Sequence, residues 1–268
     1  MRKYTFMKTK YNSFLKIFIL SLLFISCSND NETINTPEKK VLIKKITQTT
    51  YYSNQSETSI LNFTYENDLL KKVSQGNYLS ELTYNNDKIT KIDYSNNGVL
   101  NNTIVLNYNG DLLINTLSGN NQEEKTQFTY QNNILSKIES GYLSGNNFII
   151  QGSNDLIINS AGNLAQSITT SSVFPPTTIS KLLYTYDNKN HPLKNMNKYF
   201  RLIFAVEGFD GLSTNNKLTK ESFYPITSTT SVNYYFTYIY NNDNYPTEIN
   251  RFASSDNFLI SKTVIEYQ

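Results

Sequence analysis

Little of what chemistry usually requires is present in this chain. Its 268 residues include one cysteine, one histidine and no tryptophan, with only ten glycines and six prolines. A single cysteine excludes an internal disulfide framework. A Ser-His-Asp triad or a His-containing metal cluster would have to rest on His191 alone, and Asn190-His191-Pro192 reads as a surface turn. Glycine-rich phosphate loops, His-Glu metal motifs and nucleophile elbows are missing from the sequence. Glu123 and Glu124 adjoin, so on a strand they point to opposite faces, which disfavours them as a catalytic carboxylate pair. The expectation is a protein with no catalytic set, no metal and no cofactor.

An excess of either charge is missing too. The formal net charge is +2, from 24 basic and 22 acidic residues. Arg2, Lys3, Lys8, Lys10 and Lys16 belong to an N-terminal leader; without those five, 19 basic face 22 acidic residues, a net −3. A mature chain so nearly neutral has no footprint for nucleic acid.

The longest apolar run, residues 17–26, is too short to cross a bilayer comfortably. It follows a basic stretch and ends at Cys27, the pattern of a signal peptide over residues 1–26, with Met1 or Met7 as its start. Phe24-Ile25-Ser26-Cys27 resembles the lipobox of bacterial lipoproteins, with Phe where Leu is commoner. The resemblance implies that Cys27 becomes the first mature residue and carries lipid, enough for stable anchoring without a transmembrane helix. Residues 27–40 are a polar tether with too few apolar groups to fold. Asp30 and Glu32 resemble the acidic export signal of surface lipoproteins from Bacteroidetes. The expected location is therefore the outer membrane, lipid-anchored, on its periplasmic or surface-exposed face.

What the chain does have is Asn, about one residue in seven, and aromatics, 21 Tyr and 15 Phe. They recur in one phrase: an aromatic or Leu, often Thr, then Tyr, an Asn/Asp turn, then Leu or Ile ahead of Lys and a β-branched residue. Phe63-Thr64-Tyr65-Glu66-Asn67-Asp68-Leu69-Leu70-Lys71-Lys72-Val73 is one copy, and others centre on Tyr84, Tyr108, Tyr130, Tyr186 and Tyr240. A worn copy around Gly162 keeps the turn and loses the Tyr. Leu42-Ile43-Lys44-Lys45-Ile46 is a second half alone, and Val264-Ile265-Glu266-Tyr267 a first half alone.

Each copy reads as a β-hairpin. Leu61, Phe63 and Tyr65 alternate with Asn62 and Thr64, and Asn-rich pairs suit tight turns that need positive φ. Apolar residues three apart on the return strand, as in Leu70 and Val73, require either a bulge after the turn or a Leu that closes the turn. Residues 41–268 are thus expected to form one all-β domain, an antiparallel meander of hairpins in a large curved or partly closed sheet. The terminal half-copies are either its edges or the two strands that meet and close it. Residues 197–212 break the rhythm and read as a short helical or irregular insert, the place where a specialised site is expected.

The phrase resembles the tyrosine-aspartate repeats of RHS-type bacterial surface proteins. More closely, Tyr184, Tyr186, Asp187, Pro192, Lys194 and Asn195 resemble a group of uncharacterised Bacteroidetes lipoproteins. That resemblance implies no activity. Two partner classes remain open beside the membrane: a protein ligand for a scaffold, or a glycan bound by tyrosines lined up on the sheet face. A polysaccharide-acting enzyme with carboxylates paired across the fold is a weaker alternative.

Overall fold

In the computed structural model, residues 40–268 are described except 120, 173–176, 205–210 and 225–230. The expected signal peptide, Cys27 and the expected tether as far as residue 39 lie outside the described residues. From residue 43 onward the chain climbs and descends through sixteen strands. The first eight are β1 (Ile43–Tyr51), β2 (Ser56–Glu66), β3 (Leu69–Gln75), β4 (Tyr78–Asn85), β5 (Lys88–Asn96), β6 (Val99–Asn109), β7 (Leu112–Ser118) and β8 (Glu124–Gln131). There follow β9 (Ile134–Ser144), β10 (Asn147–Ile158), β11 (Leu164–Ser171) and β12 (Thr177–Tyr186). A helix, α1 (Lys198–Ile203), precedes β13 (Lys217–Phe223), β14 (Ser231–Tyr240), β15 (Pro246–Ala253) and β16 (Leu259–Tyr267).

Every strand pairs antiparallel with its sequence neighbours, and β1 pairs with β16. The meander is as expected, but the sheet is neither open nor partly closed. It is a closed barrel, which leaves no unpaired edge.

The bulge reading of the repeat holds. Thr64 faces Lys72 while Tyr65 faces Leu70, so Lys71 is the extra residue, and Leu70 and Val73 both turn inward. The same one-residue slip recurs beside Tyr84, Tyr108, Tyr130, Tyr186 and Tyr240. Asn67 and Asp68, like Asn132 and Asn133, sit at positive φ, as two-residue hairpin turns of this twist require.

Closure also explains the half-copies. Tyr267 faces Ile43 and Glu266 faces Lys45, with the same slip across Lys44. The last strand and the first complete one more copy, so the wall consists of eight like units. The worn unit, β10 with β11, puts Ile158 where the others have Tyr.

The inward residues form the core. Ile46, Phe63, Val73, Leu82, Ile92, Leu106, Phe128, Ile249 and Ile265 are all buried. Each such side chain removed from water contributes about 1.5–3 kcal/mol, which the small hairpins could not gain singly.

Candidate functional site

A tyrosine girdle lies at the end of the barrel where the Asn-rich turns are. The Tyr84 hydroxyl donates to the carbonyl of Leu70 at 2.7 Å, that of Tyr108 to Ile89 at 2.7 Å, and that of Tyr130 to Leu113 at 2.9 Å. Tyr186 reaches Leu164 and Tyr267 reaches Pro246, each at 2.7 Å, while Tyr238 donates to the carbonyl of Lys217. Each ring therefore ties its own unit to the previous one, at the carbonyl beside the bulge. Tyr65 stands at the same place, yet its buried hydroxyl has no partner among the described residues. Burial raises the phenols of Tyr65, Tyr108, Tyr238 and Tyr267, and pushes those of Tyr84 and Tyr130 up to about 12. The repeated tyrosines thus line the lumen and pack on the core, so they do not form the flat, open sheet-face platform considered for glycans.

The insert between β12 and β13 folds over this end. Asn197 caps α1 by accepting from the backbone N–H groups of Tyr199 and Phe200. Leu193, Met196, Tyr199 and Phe200 are buried against the barrel core, and Phe204 meets Phe63 edge to face. Polar contacts moor the insert to the turns. Asn197 Nδ2 donates to Asp87 O at 3.2 Å, the Tyr199 hydroxyl to Asp111 O, and Asn195 Nδ2 to Val41 O at 3.0 Å. The expected helix over 197–212 is only six residues long, and 205–210 lie outside the described residues. Gly211 is needed because a side chain there would run into the carbonyl of Arg201.

Beneath the insert lies a buried polar cluster. Asp187 accepts from the backbone N–H of Asn216 at 3.0 Å, from Asn216 Nδ2 at 3.1 Å and from the hydroxyl of Tyr240. Ser213 Oγ donates to the Tyr186 hydroxyl at 2.9 Å, and Arg201 donates to the Ser213 carbonyl. His191, expected on the surface, is buried at 2 % exposure. Its Nδ1 accepts from the N–H of Leu193 at 3.2 Å. Burial, then the charges of Arg201 and Lys217, hold its pKa well below the ordinary imidazole value, so it is neutral. These contacts anchor the insert, although the buried Asn216 Oδ1 finds no hydrogen-bond partner among the described residues. The signal for the cluster was the Tyr-x-Tyr-Asp phrase at residues 184–187, but its partners, Ser213 and Asn216, lie a whole insert away.

The outer wall carries ion pairs among exposed apolar side chains such as Ile60, Ile114, Leu218, Ile239 and Val264. Lys45 pairs with Glu266, Lys72 with Glu81, and Lys262 with Glu248, each at 2.8 Å; Lys91 pairs with Asp93 at 2.7 Å and Lys137 with Glu139 at 2.9 Å. Thr47, Thr64, Thr83 and Thr129 share that face by register. A lipid-facing wall needs an apolar band about 25 Å tall, and one Lys at its midplane costs about 2–4 kcal/mol. Among the described residues no helix is long and apolar enough to cross a membrane.

At the opposite mouth, β7, β8 and β9 border a cavity of about 580 Å³. Ser118, Glu123, Glu124, Thr126, Ser140, Tyr142 and Gln151 line it. Sequence adjacency alone points to Glu123 and Glu124, whereas the approach of Tyr142 and Gln151 depends on register across three strands. Among the described residues no three His, Cys, Asp or Glu converge as metal ligands.

The fold has solved counterparts. A porin-like protein from Bacteroides uniformis superposes with a TM-score of 0.54 at 12% identity, over 84% of this chain and 97% of that one. A porin-like protein from Bacteroides vulgatus gives 0.50 at 13% identity, over 85% and 99%. The chain has the fold of these barrels. At such identity the likeness extends to fold alone. A Photorhabdus luminescens Tc holotoxin pore matches at a TM-score of 0.31 and 13% identity, over 76% of this chain and 9% of that one, too low to carry an argument. No protein-family model and no curated protein matches the sequence.

Proposed function

We propose that this protein is a lipid-anchored outer-membrane or cell-surface module with a non-catalytic binding or scaffold role, whose barrel stands in water beside the membrane. The observation that carries the reading is the set of lysine–carboxylate pairs on the outer wall, which stand among exposed apolar side chains such as Ile60 and Val264, while the insert packs into the tyrosine-lined end. Charged groups at that face cost free energy inside a bilayer, so in this reading attachment falls to lipid on Cys27.

Membrane fractionation of cells expressing the full chain, with metabolic labelling by a fatty-acid analogue, tests this. Wild type incorporates the label and sediments with the outer membrane; Cys27→Ser takes up no label and stays soluble without detergent. A Cys27→Ser protein that still partitions into vesicles, or gives stepwise conductance in planar bilayers, overturns the proposal.

A further inference from the structure

Most polar groups of the girdle and insert bond to one another, whereas the mouth bordered by β7, β8 and β9 leaves polar side chains facing an open cavity. There the register sets Ser118 opposite Glu124 and Glu124 opposite Tyr142, one row across three neighbouring strands on the lumenal face. Thr126 and Ser140 face each other one row deeper. Cross-strand neighbours of this kind hold their Cβ atoms about 4.5–5.5 Å apart, so the Tyr142 ring and the Glu124 carboxylate stand side by side. Ser118 Oγ donates to Glu124 at 2.9 Å and fixes the carboxylate. The Glu123 carboxylate is held by the N–H of Asn121 at 2.7 Å. The ring of Tyr142 is exposed at 41 %, unlike the girdle tyrosines.

The wall is shaped to leave this space. Gly141 lies so close to the Ile149 carbonyl that any side chain would run into it, and the register slips by one residue between Ile150 and Gly152. The extra residue is Gln151, whose amide borders the cavity. Lys125 also touches the cavity, but its ammonium lies 4.7 Å over the Phe148 ring.

The lining decides the chemistry. Two carboxylates repel phosphates and other anions. Leu143 is the one aliphatic side chain in the lining, too little for a lipid or other greasy ligand. Hydroxyls, an amide, fixed carboxylates and an exposed aromatic face suit a polyhydroxylated ring, whose C–H face stacks on Tyr142 while its hydroxyls donate to the carboxylates. We propose that this cavity is a saccharide subsite, selective for neutral or amino-bearing sugars over acidic ones. The inference rests on the reading that this mouth stands in water rather than lipid.

Isothermal titration calorimetry of the full chain in detergent tests it, with cellobiose, the chitosan dimer and digalacturonate as probes. The first two should bind with dissociation constants on the order of millimolar and digalacturonate about tenfold more weakly. Tyr142→Ala should weaken cellobiose about tenfold. Glu124→Gln should narrow the gap between the chitosan dimer and digalacturonate. Tyr235→Ala, on the outer wall where Tyr235 stacks on Phe252, should change neither. Circular dichroism confirms that each variant is folded, and a variant that fails to fold is replaced by Tyr142→Leu, which keeps the bulk and removes the ring. No heat at about 10 mM sugar, or binding indifferent to both cavity substitutions, overturns the subsite. Failure here with a barrel that stays out of bilayers leaves the proposed function standing; insertion into bilayers removes both.

Discussion

Replacing Tyr by Phe at two equivalent positions of the repeat should shift stability in opposite directions. Tyr84→Phe deletes a hydroxyl that donates to the Leu70 carbonyl at 2.7 Å. A half-buried bond of this type contributes about 1 kcal/mol net. Tyr65 occupies the same slot one unit earlier, but its buried hydroxyl meets no acceptor among the described residues. By the repeat, that acceptor would be the carbonyl of Ile43, next to the seam. Removing an unpaired buried hydroxyl relieves a desolvation cost, so Tyr65→Phe should be neutral or stabilise by up to about 1 kcal/mol. For a barrel of this size 1 kcal/mol moves the melting temperature by about 2–4 °C, well within the reach of scanning calorimetry. The expected outcome is a fall for Tyr84→Phe and no fall for Tyr65→Phe. A loss at Tyr65 as large as at Tyr84 would refute the girdle as a source of stability and leave only ring packing.

The remaining predictions concern acid and the seam. His191 has a folded pKa below its unfolded value, so the unfolded chain binds a proton first, and stability present above about pH 6.5 falls as the pH drops. The slope from this one group approaches about 1.4 kcal/mol per pH unit; denaturant titrations across pH 5–7 should show it, and His191→Gln should flatten it. As the chain's one histidine, His191 should give a single imidazole NMR signal with no titration near pH 6.5. Deleting residues 256–268 removes β16, opening both β1 and β15; loss of a cooperative melting transition is expected, and an unchanged midpoint would show that closure contributes nothing.

Much of this wall was legible in the sequence because its determinants are local. Leu70 and Val73 are three residues apart, a spacing a flat strand cannot bury on one face, which leaves a bulge or a turn-closing Leu, and the register selects the bulge. Asn67-Asp68 names its turn by its tolerance of positive φ. Closure is different: tilt and stagger accumulate over all sixteen strands, and no single residue announces whether the last strand reaches the first. The same limit hid His191. Asn190-His191-Pro192 forms a turn as its residues require, but whether a turn faces water depends on what is folded over it, here α1 and the segment from Gly211 to Asn216. Tyr142 and Glu124 meet only through register, so the cavity had no local signature.

The seam between β1 and β16 has a kinetic meaning. The Lys45–Glu266 pair joins residues 221 positions apart, whereas every other neighbouring strand pair is connected by a hairpin, a short loop or the insert. Closing a loop that long from an extended chain would be slow, but each hairpin that zips shortens the remaining gap, and the curvature of the growing sheet carries the two ends toward each other. The seam is therefore expected to be the last contact made during folding and, lacking a covalent turn, the first to fray, which pulse-labelled hydrogen exchange of the β1 and β16 amides would check. Opening the ring at another hairpin turn and tying residue 268 back to the start would move that weak point without changing a single inward-facing side chain.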